Sequence, residues 1–192
     1  MKTEKHRNKL LGGILAALVL TCSLAATVSA QLAGAIFTTD AGGNFVNANI
    51  YDLMDDVYLN GGPRSPKAPC TAAGLPDGFY AFQVTDPSGQ VLLSTDGIEQ
   101  RIVEVRSGVI VKNWGTHFVG VGKCNSVTVQ LSPFNITPNP GGEYKVWMAP
   151  INLRADGTFL FQGFLPNQSK TDNFKIAECI PDETNNCGVP TE

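Results

Sequence analysis

Short alternating segments separated by turn residues dominate this sequence from residue 33 onward. Each segment is rich in Val, Ile, Phe, Tyr and Thr, and most run for six to eight residues. The segments are AGAIFTTD, NFVNANIY, FYAFQVT, QVLLST, QRIVEV, GVIVK, SVTVQLS, EYKVWM and TFLFQGF. Residues of these types favour strands, and no window keeps a helical period of 3.6 residues. The pattern predicts an all-β fold, an antiparallel β-sandwich of roughly nine or ten strands.

Turn residues predict how the strands connect. Residues 86–89, DPSG, have Pro at the second and Gly at the fourth position of a type I turn, so the flanking segments should form a hairpin. The pairs SG at 107–108 and DG at 156–157 predict further turns. Two longer connections, 60–78 and 132–142, are expected to be functional or stapled loops.

The first thirty residues have the pattern of an export signal. Four basic residues precede an apolar run, residues 10–26, that carries no charge. The small residues at 28–30, VSA, predict signal-peptidase cleavage and a mature chain that begins at Gln31. The apolar run is shorter than the roughly 20 residues of a spanning helix, so no membrane span is expected after cleavage. A lipoprotein signal at Cys22 is the weaker alternative, because the residue before it is Thr.

Charge argues against two classes of partner. The chain has 14 basic and 17 acidic residues, and the signal holds four and one of these, so the mature chain has 10 against 16, or −6. Nucleic acid and anionic lipid surfaces need clustered Lys and Arg, and the mature chain has no such cluster. The partners that remain are an extracellular protein, a polysaccharide or a second copy of the chain.

Four cysteines remain after the signal is removed, an even number that suits an oxidising compartment. Three pairings are possible. We expect Cys70 to pair with Cys124, which ties the 60–78 loop to the body of the domain. Cys179 would then pair with Cys187 and close a small loop near the end of the chain. Zinc binding is the alternative, and it is disfavoured because the chain has no CxxC pair and one mature histidine.

The expected organisation is a signal peptide at 1–30, one β-sandwich domain at 31–178 and a polar, disulfide-looped tail at 179–192. About 160 mature residues suit a single domain with a real core. Two small domains are the alternative.

A candidate calcium site lies in YDLMDDVY. Asp52, Asp55 and Asp56 occur together there, and with Asn60 they offer the hard oxygen ligands that calcium takes. Their spacing does not match an EF-hand loop. The alternative is a set of solvated charges that guard an edge strand. No other cofactor is expected.

Enzyme signatures are missing from the sequence. It contains no G-x-S-x-G elbow, phosphate loop, H-E-x-x-H motif or dinucleotide fingerprint. A hydrolytic triad would have to use His117, which we interpret as a solvent-facing residue of the segment GTHFVG. Sixteen mature acidic residues could supply a glycosidase pair, but nothing in the sequence selects two of them. We therefore expect a protein that is not an enzyme.

Two tryptophans are candidate ligand or partner contacts. Lys145 and Trp147 share the face of EYKVWM that is opposite to its apolar face. A tryptophan on the face that lysine keeps wet can stack on a sugar or anchor a partner. The alternative is that a loop or the C-terminal strand covers Trp147. Trp114, beside the turn at 113–115, is a second candidate of the same kind.

Two strands begin with a similar motif after a Pro-containing loop, GFY at 78–80 and GEY at 142–144. This Gly-x-Tyr start resembles the prealbumin-like β-sandwiches, such as carboxypeptidase regulatory-type domains and the B-type repeats of bacterial collagen adhesins. The stretches GAIFTTD and SKTDNFKI also look like parts of secreted bacterial proteins of this class. The resemblance implies that each motif opens a core strand and that its tyrosine anchors the preceding corner.

The resemblance implies a prealbumin-like or Ig-like sandwich that bacteria export to the cell surface or the medium, with a structural or adhesive role. It does not extend to the isopeptide bond that often joins a first-strand lysine to a last-strand asparagine in adhesin repeats, because no lysine occurs between Gln31 and Arg64. The alternatives are a carbohydrate-binding module that uses exposed aromatics and, less favoured, a secreted hydrolase.

Overall fold

The computed structural model describes residues 32–177 except 47, 64–67 and 73. The predicted signal peptide, the predicted tail and the Cys179–Cys187 pair lie outside the described residues. The strands are β1 Ile36–Thr39, β2 Ile50–Tyr51, β3 Tyr58–Gly61, β4 Gly78–Thr85, β5 Ile102–Arg106, β6 Val109–Asn113, β7 Val119–Val121, β8 Val127–Gln130, β9 Glu143–Leu153, β10 Phe159–Leu160 and β11 Lys170–Ile176. Short 3-10 helices span Met54–Asp56, Ile98–Gln100 and Lys123–Asn125. Within these residues no helix is long and apolar enough to cross a membrane.

The strands form two sheets. The smaller sheet has the order β1-β3-β8-β7, and the larger has the order β2-β11-β9-β4-β5-β6 with β10 beside β9. Strands β2 and β11 run parallel, and every other described pair is antiparallel. The all-β prediction is confirmed. The prealbumin-like or Ig-like type stays a prediction.

Both sheets bury one face in a shared hydrophobic core. Leu59 and Val129 of the smaller sheet belong to the same buried cluster as Phe82, Val146 and Phe174 of the larger sheet. Alternation along β4 and β9 places every second side chain in this cluster, because successive residues of a strand point to opposite faces. The two sheets therefore pack face to face.

A second, smaller apolar cluster covers part of the outer face of the larger sheet. Ala81, Ile102 and Ile151 are buried there beneath partly buried side chains that include Phe159 and Phe161. The cover comes from the chain around β10, which folds back along the end of β9. The cover is partial, because a cavity of about 290 Å³ remains between Ala81, Ile102 and Ile151 and the side chains of Phe159 and Phe161.

The predicted hairpin at residues 86–89 forms only in part. The turn is closed by Gly89 N donating to the Asp86 carbonyl at 3.0 Å. The segment QVLLST is not a strand. It meets β4 only at the end near the turn, through an isolated bridge from Thr85 to Leu92 and hydrogen bonds between Val84 and residues 93–94. The hairpin prediction is wrong for the rest of its length because β4 already has β5 on one side and β9 on the other.

The long loop before β4 is stapled, as predicted. Cys70 and Cys124 form a disulfide with Cα atoms 5.5 Å apart. Leu75 reaches the core, and its backbone N–H donates to the carbonyl of Gly108 at 3.3 Å. The described part of this loop is therefore fixed to the turn between β5 and β6 and to the chain before β8.

The two Gly-x-Tyr tyrosines anchor the corners that precede them. Tyr80 OH donates to the carbonyl of Pro76 at 2.7 Å. Tyr144 OH accepts from the N–H of Thr137 at 3.2 Å. Both rings are buried, so each hydroxyl needs a partner inside the protein. The contacts are the ones that the resemblance implied, and they are local features that do not identify a family.

Candidate functional site: an acidic cleft

A cleft of about 560 Å³ lies beside strands β1 and β3 and combines negative charge with apolar surface. Its carboxylates belong to Asp40, Asp52, Asp55 and Asp56. Its larger apolar and aromatic residues are Phe45, Ile50, Tyr51 and Tyr58. The volume lies within the usual range of ligand sites, about 300–1,000 Å³.

Strand pairing brings these residues together from three segments of the chain. Asp40 follows β1, and Asp52 follows β2 where β2 joins the edge of the larger sheet. The 3-10 helix Met54–Asp56 carries Asp55 and Asp56. That helix is fixed to β8, because the side-chain amide of Gln130 donates to the carbonyl of Asp55 at 2.8 Å. This bond ties the backbone that carries Asp55 and Asp56 to the smaller sheet.

Asp40 shapes the cleft wall. Its two carboxylate oxygens accept hydrogen bonds from the N–H and the side-chain amide of Asn44, at 2.7 and 2.8 Å. Burial alone would raise the pKa of Asp40, but the hydrogen bonds from Asn44 and Thr39 lower it below its ordinary value. Asp40 is therefore ionised at neutral pH and already engaged. Asp52, Asp55 and Asp56 are exposed, so their carboxylates are the ones that a ligand can reach.

The pKa values of the two tyrosines in the cleft are raised by burial and by nearby carboxylates. Burial raises the pKa of Tyr58, and the nearby charges of Asp55 and Asp56 raise it further. Burial, with smaller contributions from Asp172 and Asp40, raises the pKa of Tyr51 to about 12. Burial is the larger cause in both residues and disfavours a charge of either sign, whereas the smaller contribution of the carboxylates is the part that favours a positively charged ligand.

The apolar part of the cleft is open to solvent. Phe45 and Ile50 are 60% and 61% exposed. Large apolar side chains that cluster at the surface beside charged groups mark interaction sites more often than isolated ones do. A ligand that suits both the exposed carboxylates and the exposed apolar side chains has a positive charge at the end of an apolar chain.

The calcium hypothesis stays a prediction. Asp52, Asp55 and Asp56 do line one cleft, as the sequence suggested. Asn60 lies elsewhere: it is buried, and its side-chain oxygen accepts from Gly61 N at 2.8 Å. No group of three or more His, Cys, Asp or Glu side chains within the described ranges is arranged to hold a metal ion.

Trp147 is half-buried on the outer face of the larger sheet. Its indole N–H donates to the hydroxyl of Thr85 at 2.9 Å, and Lys145 Nζ lies 5.5 Å from the ring centroid. The turn at 86–89 packs on the ring, since a Cβ on Gly89 would lie 2.6 Å from it. This turn covers part of the ring, and Thr171 of the C-terminal strand β11 lies beside Trp147 in the sheet.

Trp114 is the more accessible tryptophan, with 46% of its surface exposed. Its indole N–H donates to Glu104 at 3.3 Å, and Lys112 Nζ lies 3.7 Å from the ring centroid. The ring also makes edge contacts with Phe79 and Phe159, at centroid distances of 5.7 and 6.3 Å. Trp114 is thus an exposed member of an aromatic cluster.

The interpretation of His117 as solvent-facing is wrong. Its side chain is 1% exposed, and Nε2 lies 2.9 Å from Asp96 Oδ2. Arg101, equally buried, binds the other oxygen of Asp96. A histidine paired with an aspartate supplies two members of a hydrolytic triad. Among the described residues no hydroxyl hydrogen-bonds to the ring, and the other polar group beside it is the backbone of Gln130.

Sequence reasoning found three of the cleft's carboxylates but missed Asp40, Phe45 and Ile50. These residues carry no motif. Ile50 stands two positions before Asp52, whereas Asp40 and Phe45 lie in the connection between β1 and β2 and reach the cleft only in the folded chain. Comparison of the chain with protein-family models, with curated proteins and with solved structures finds no match.

Proposed function

We propose that this chain is an exported, non-enzymatic β-sandwich module with a structural or adhesive role outside the bacterial cell or at its surface. We further propose that the acidic cleft is its contact site and that the partner is a Lys- or Arg-bearing segment of an extracellular protein. The observation that carries the proposal is the joint placement of three exposed aspartates with exposed Phe45 and Ile50 in one cleft.

Lysine and arginine suit this cleft for two reasons. Their charged groups pair with carboxylates, while their aliphatic stems cover apolar surface. An aromatic face such as that of Phe45 also attracts a cation. The Cys70–Cys124 disulfide is typical of an oxidising compartment and agrees with export through the signal at residues 1–30.

Binding of short fluorescent peptides tests the proposal. We expect a lysine- and arginine-rich peptide to bind, an aspartate-rich peptide not to bind, and the affinity to fall with salt because the charges are exposed. The triple variant D52N/D55N/D56N should weaken binding at least about tenfold. The matched control D77N/E99Q/D156N makes the same change in net charge away from the cleft and should bind as the wild type does.

Equal weakening in the two triple variants would show a general charge effect and would contradict a site in the cleft. Calcium would compete for the same carboxylates, so the titration is repeated with about 1–10 mM calcium, the range of weak extracellular sites. With the ionic strength held constant, displacement of the peptide in the wild type would support the calcium hypothesis. Unchanged binding would remove it.

A carbohydrate-binding role is the second candidate, and the exposure of Trp114 favours it. Sugars stack on aromatic rings, and Lys112 and Glu104 beside the indole could bind hydroxyl groups. Pull-down on extracted polysaccharides with W114A tests it. Retention of the wild type but not of W114A would support this role. If the polysaccharides retain neither protein, the cleft remains the proposed contact site.

A further inference from the structure

Strand β7 is an edge of the smaller sheet and has an exposed apolar surface. Phe118, Val119 and Val121 are 74%, 56% and 68% exposed. Val119 lies opposite the buried Val129 in the pairing of β7 with β8. Val119 and Val121 therefore continue the inner face of the sheet beyond the core. An exposed apolar edge strand is a template for pairing with another strand.

The backbone N–H and C=O groups of β7 that do not pair with β8 belong to Val119 and Val121. Gln130 N donates to the carbonyl of Phe118, and Gly122 N donates to the carbonyl of Ser126. In an antiparallel pair, residues that hydrogen-bond to the neighbour alternate with residues that do not. The N–H and C=O groups of Val119 and Val121 therefore point away from β8, toward the open edge.

The other edges of the described sheets carry features that oppose pairing. At β1, the Thr38 N–H donates to Asp172 at 2.8 Å. Strand β6 carries the exposed Lys112, and β2 is two residues long. Short strands, charged residues and occupied backbone groups all protect an edge. Strand β7 is also short, at three residues, but it carries no charged residue, and no described hydrogen bond occupies the backbone groups of Val119 and Val121.

The sequence around β7 carries no charged residue that would repel a second copy of the chain. Between Lys112 and Lys123 the sequence has no Asp, Glu, Lys or Arg. His117 within this stretch is buried, and burial and the charge of Arg101 lower its pKa. Two copies of this acidic chain, with net charge −3 for the full sequence and −6 after the predicted cleavage, can therefore meet at this edge without placing like charges opposite one another.

We propose that β7 pairs antiparallel with β7 of a second copy of this chain, about a two-fold axis at Gly120. Val119 then lies opposite Val121 of the second copy, and Val121 lies opposite its Val119. Both residues have outward-pointing backbone groups, so each of the two pairs exchanges two hydrogen bonds. The two smaller sheets become one continuous sheet, and the four exposed valines meet on one of its faces.

Sedimentation equilibrium of the whole purified protein tests this pairing. Because short edge-to-edge contacts bury less than the standard interface of about 1,600 Å², we expect a weak dimer that dissociates between about 1 mM and about 10 µM. V119K/V121K should raise the dissociation constant at least about tenfold, because it places lysines opposite lysines. V119K/V121E should restore the dimer, because each lysine then faces a glutamate of the second copy.

The control L153K adds a lysine at a position that is 48% exposed on the larger sheet and should dimerise as the wild type does. A wild type that is monomeric at every concentration overturns the proposal. So does a dimer that V119K/V121K leaves intact, or one that V119K/V121E fails to restore. Slow amide exchange at Val119 and Val121 in a monomer would mean that the same chain covers β7, which also overturns it. The proposal uses no cleft residue, so peptide binding and dimerisation can fail separately.

Discussion

His117 and Asp96, which are 21 residues apart in the chain, form a hydrogen bond of 2.9 Å inside the protein. The bond joins the chain before β7 to the turn before β5. Arg101 binds the same carboxylate, and its guanidinium carbon lies 5.3 Å from the centroid of the Phe82 ring. The Phe82 ring in turn contacts the His117 ring, with centroids 5.2 Å apart. A buried polar network of this kind makes stability depend on pH and on each member.

Stability should fall on mild acidification because of His117. Burial, and then the charge of Arg101, lower its pKa below 6.5, although Asp96 acts in the opposite direction. As the pH falls below about 6.5, the unfolded chain takes up a proton that the folded chain does not, so the free energy of unfolding decreases. The slope from this one group is at most about 1.4 kcal/mol per pH unit. Above that pH the group contributes no slope.

Urea unfolding at about pH 7.5 and about pH 5.5, with wild type and H117Q, measures this effect. The free energy of unfolding should fall less between the two pH values in H117Q than in the wild type, because all other titrating groups are present in both proteins. An equal loss in both proteins would show that His117 does not cause it.

Arg101 should contribute more to stability than any exposed arginine. Its guanidinium donates to Asp96 and to the carbonyls of Leu131 and Pro133, at 2.6, 3.1 and 2.6 Å. R101A removes all three bonds: the carbonyl of Leu131 loses its side-chain donor, while Asp96 keeps His117 and the carbonyl of Pro133 keeps the N–H of Thr95. We expect a loss of about 3–5 kcal/mol in the free energy of unfolding, because a partly buried carboxylate loses its cation. R106A is the control, because that side chain is 70% exposed and pairs with Glu104, a contact worth about 0–1 kcal/mol. Comparable losses in chemical denaturation would contradict a special role for Arg101.

The sequence predicts those strands in which apolar and polar residues alternate over enough positions to distinguish a buried face from an exposed one. Strand β9 is an example, since Tyr144, Val146 and Met148 are buried while Lys145 and Trp147 are not. Strands β3, β7 and β11 were not predicted. Strand β7 has three residues with a central glycine, and β11 is mostly polar, so neither shows an apolar alternation.

The candidate site was harder to predict than the strands because it depends on contacts between distant segments. The cluster of Asp52, Asp55 and Asp56 is visible in the sequence, but its apolar neighbours Phe45 and Ile50 stand in a segment that was predicted as a strand throughout. Only its last two residues pair, and they pair with β11. The burial of His117 was missed for the same reason, since Asp96 and Arg101 reach it from another turn.

The Cys70–Cys124 disulfide should stabilise the fold substantially. It links residues 54 apart, and the loss of loop entropy in the unfolded chain corresponds to about 4 kcal/mol. C70S/C124S should lower the free energy of unfolding by an amount of that order. Reduction of the wild type should reproduce the loss, whereas the reductant should have a smaller effect on the double variant. A double variant as stable as the oxidised wild type would contradict the prediction.

Trp147 should act as a packing partner for the turn at 86–89, and glycine substitutions can separate that role from backbone strain. Gly89 and Gly157 have similar φ values, +80° and +82°, so alanine at either should cost about 1 kcal/mol from the left-handed backbone. Only at Gly89 does the new Cβ meet Trp147, 2.6 Å from Cζ2, whereas nothing lies within 4 Å of a Cβ at Gly157. Overpacking should therefore make G89A less stable than G157A by about a further 1–3 kcal/mol. Thermal unfolding measures the difference, and tryptophan fluorescence should shift only in G89A. Equal destabilisation of the two variants would mean that the turn does not pack on the indole, which would return Trp147 to the candidate contact residues.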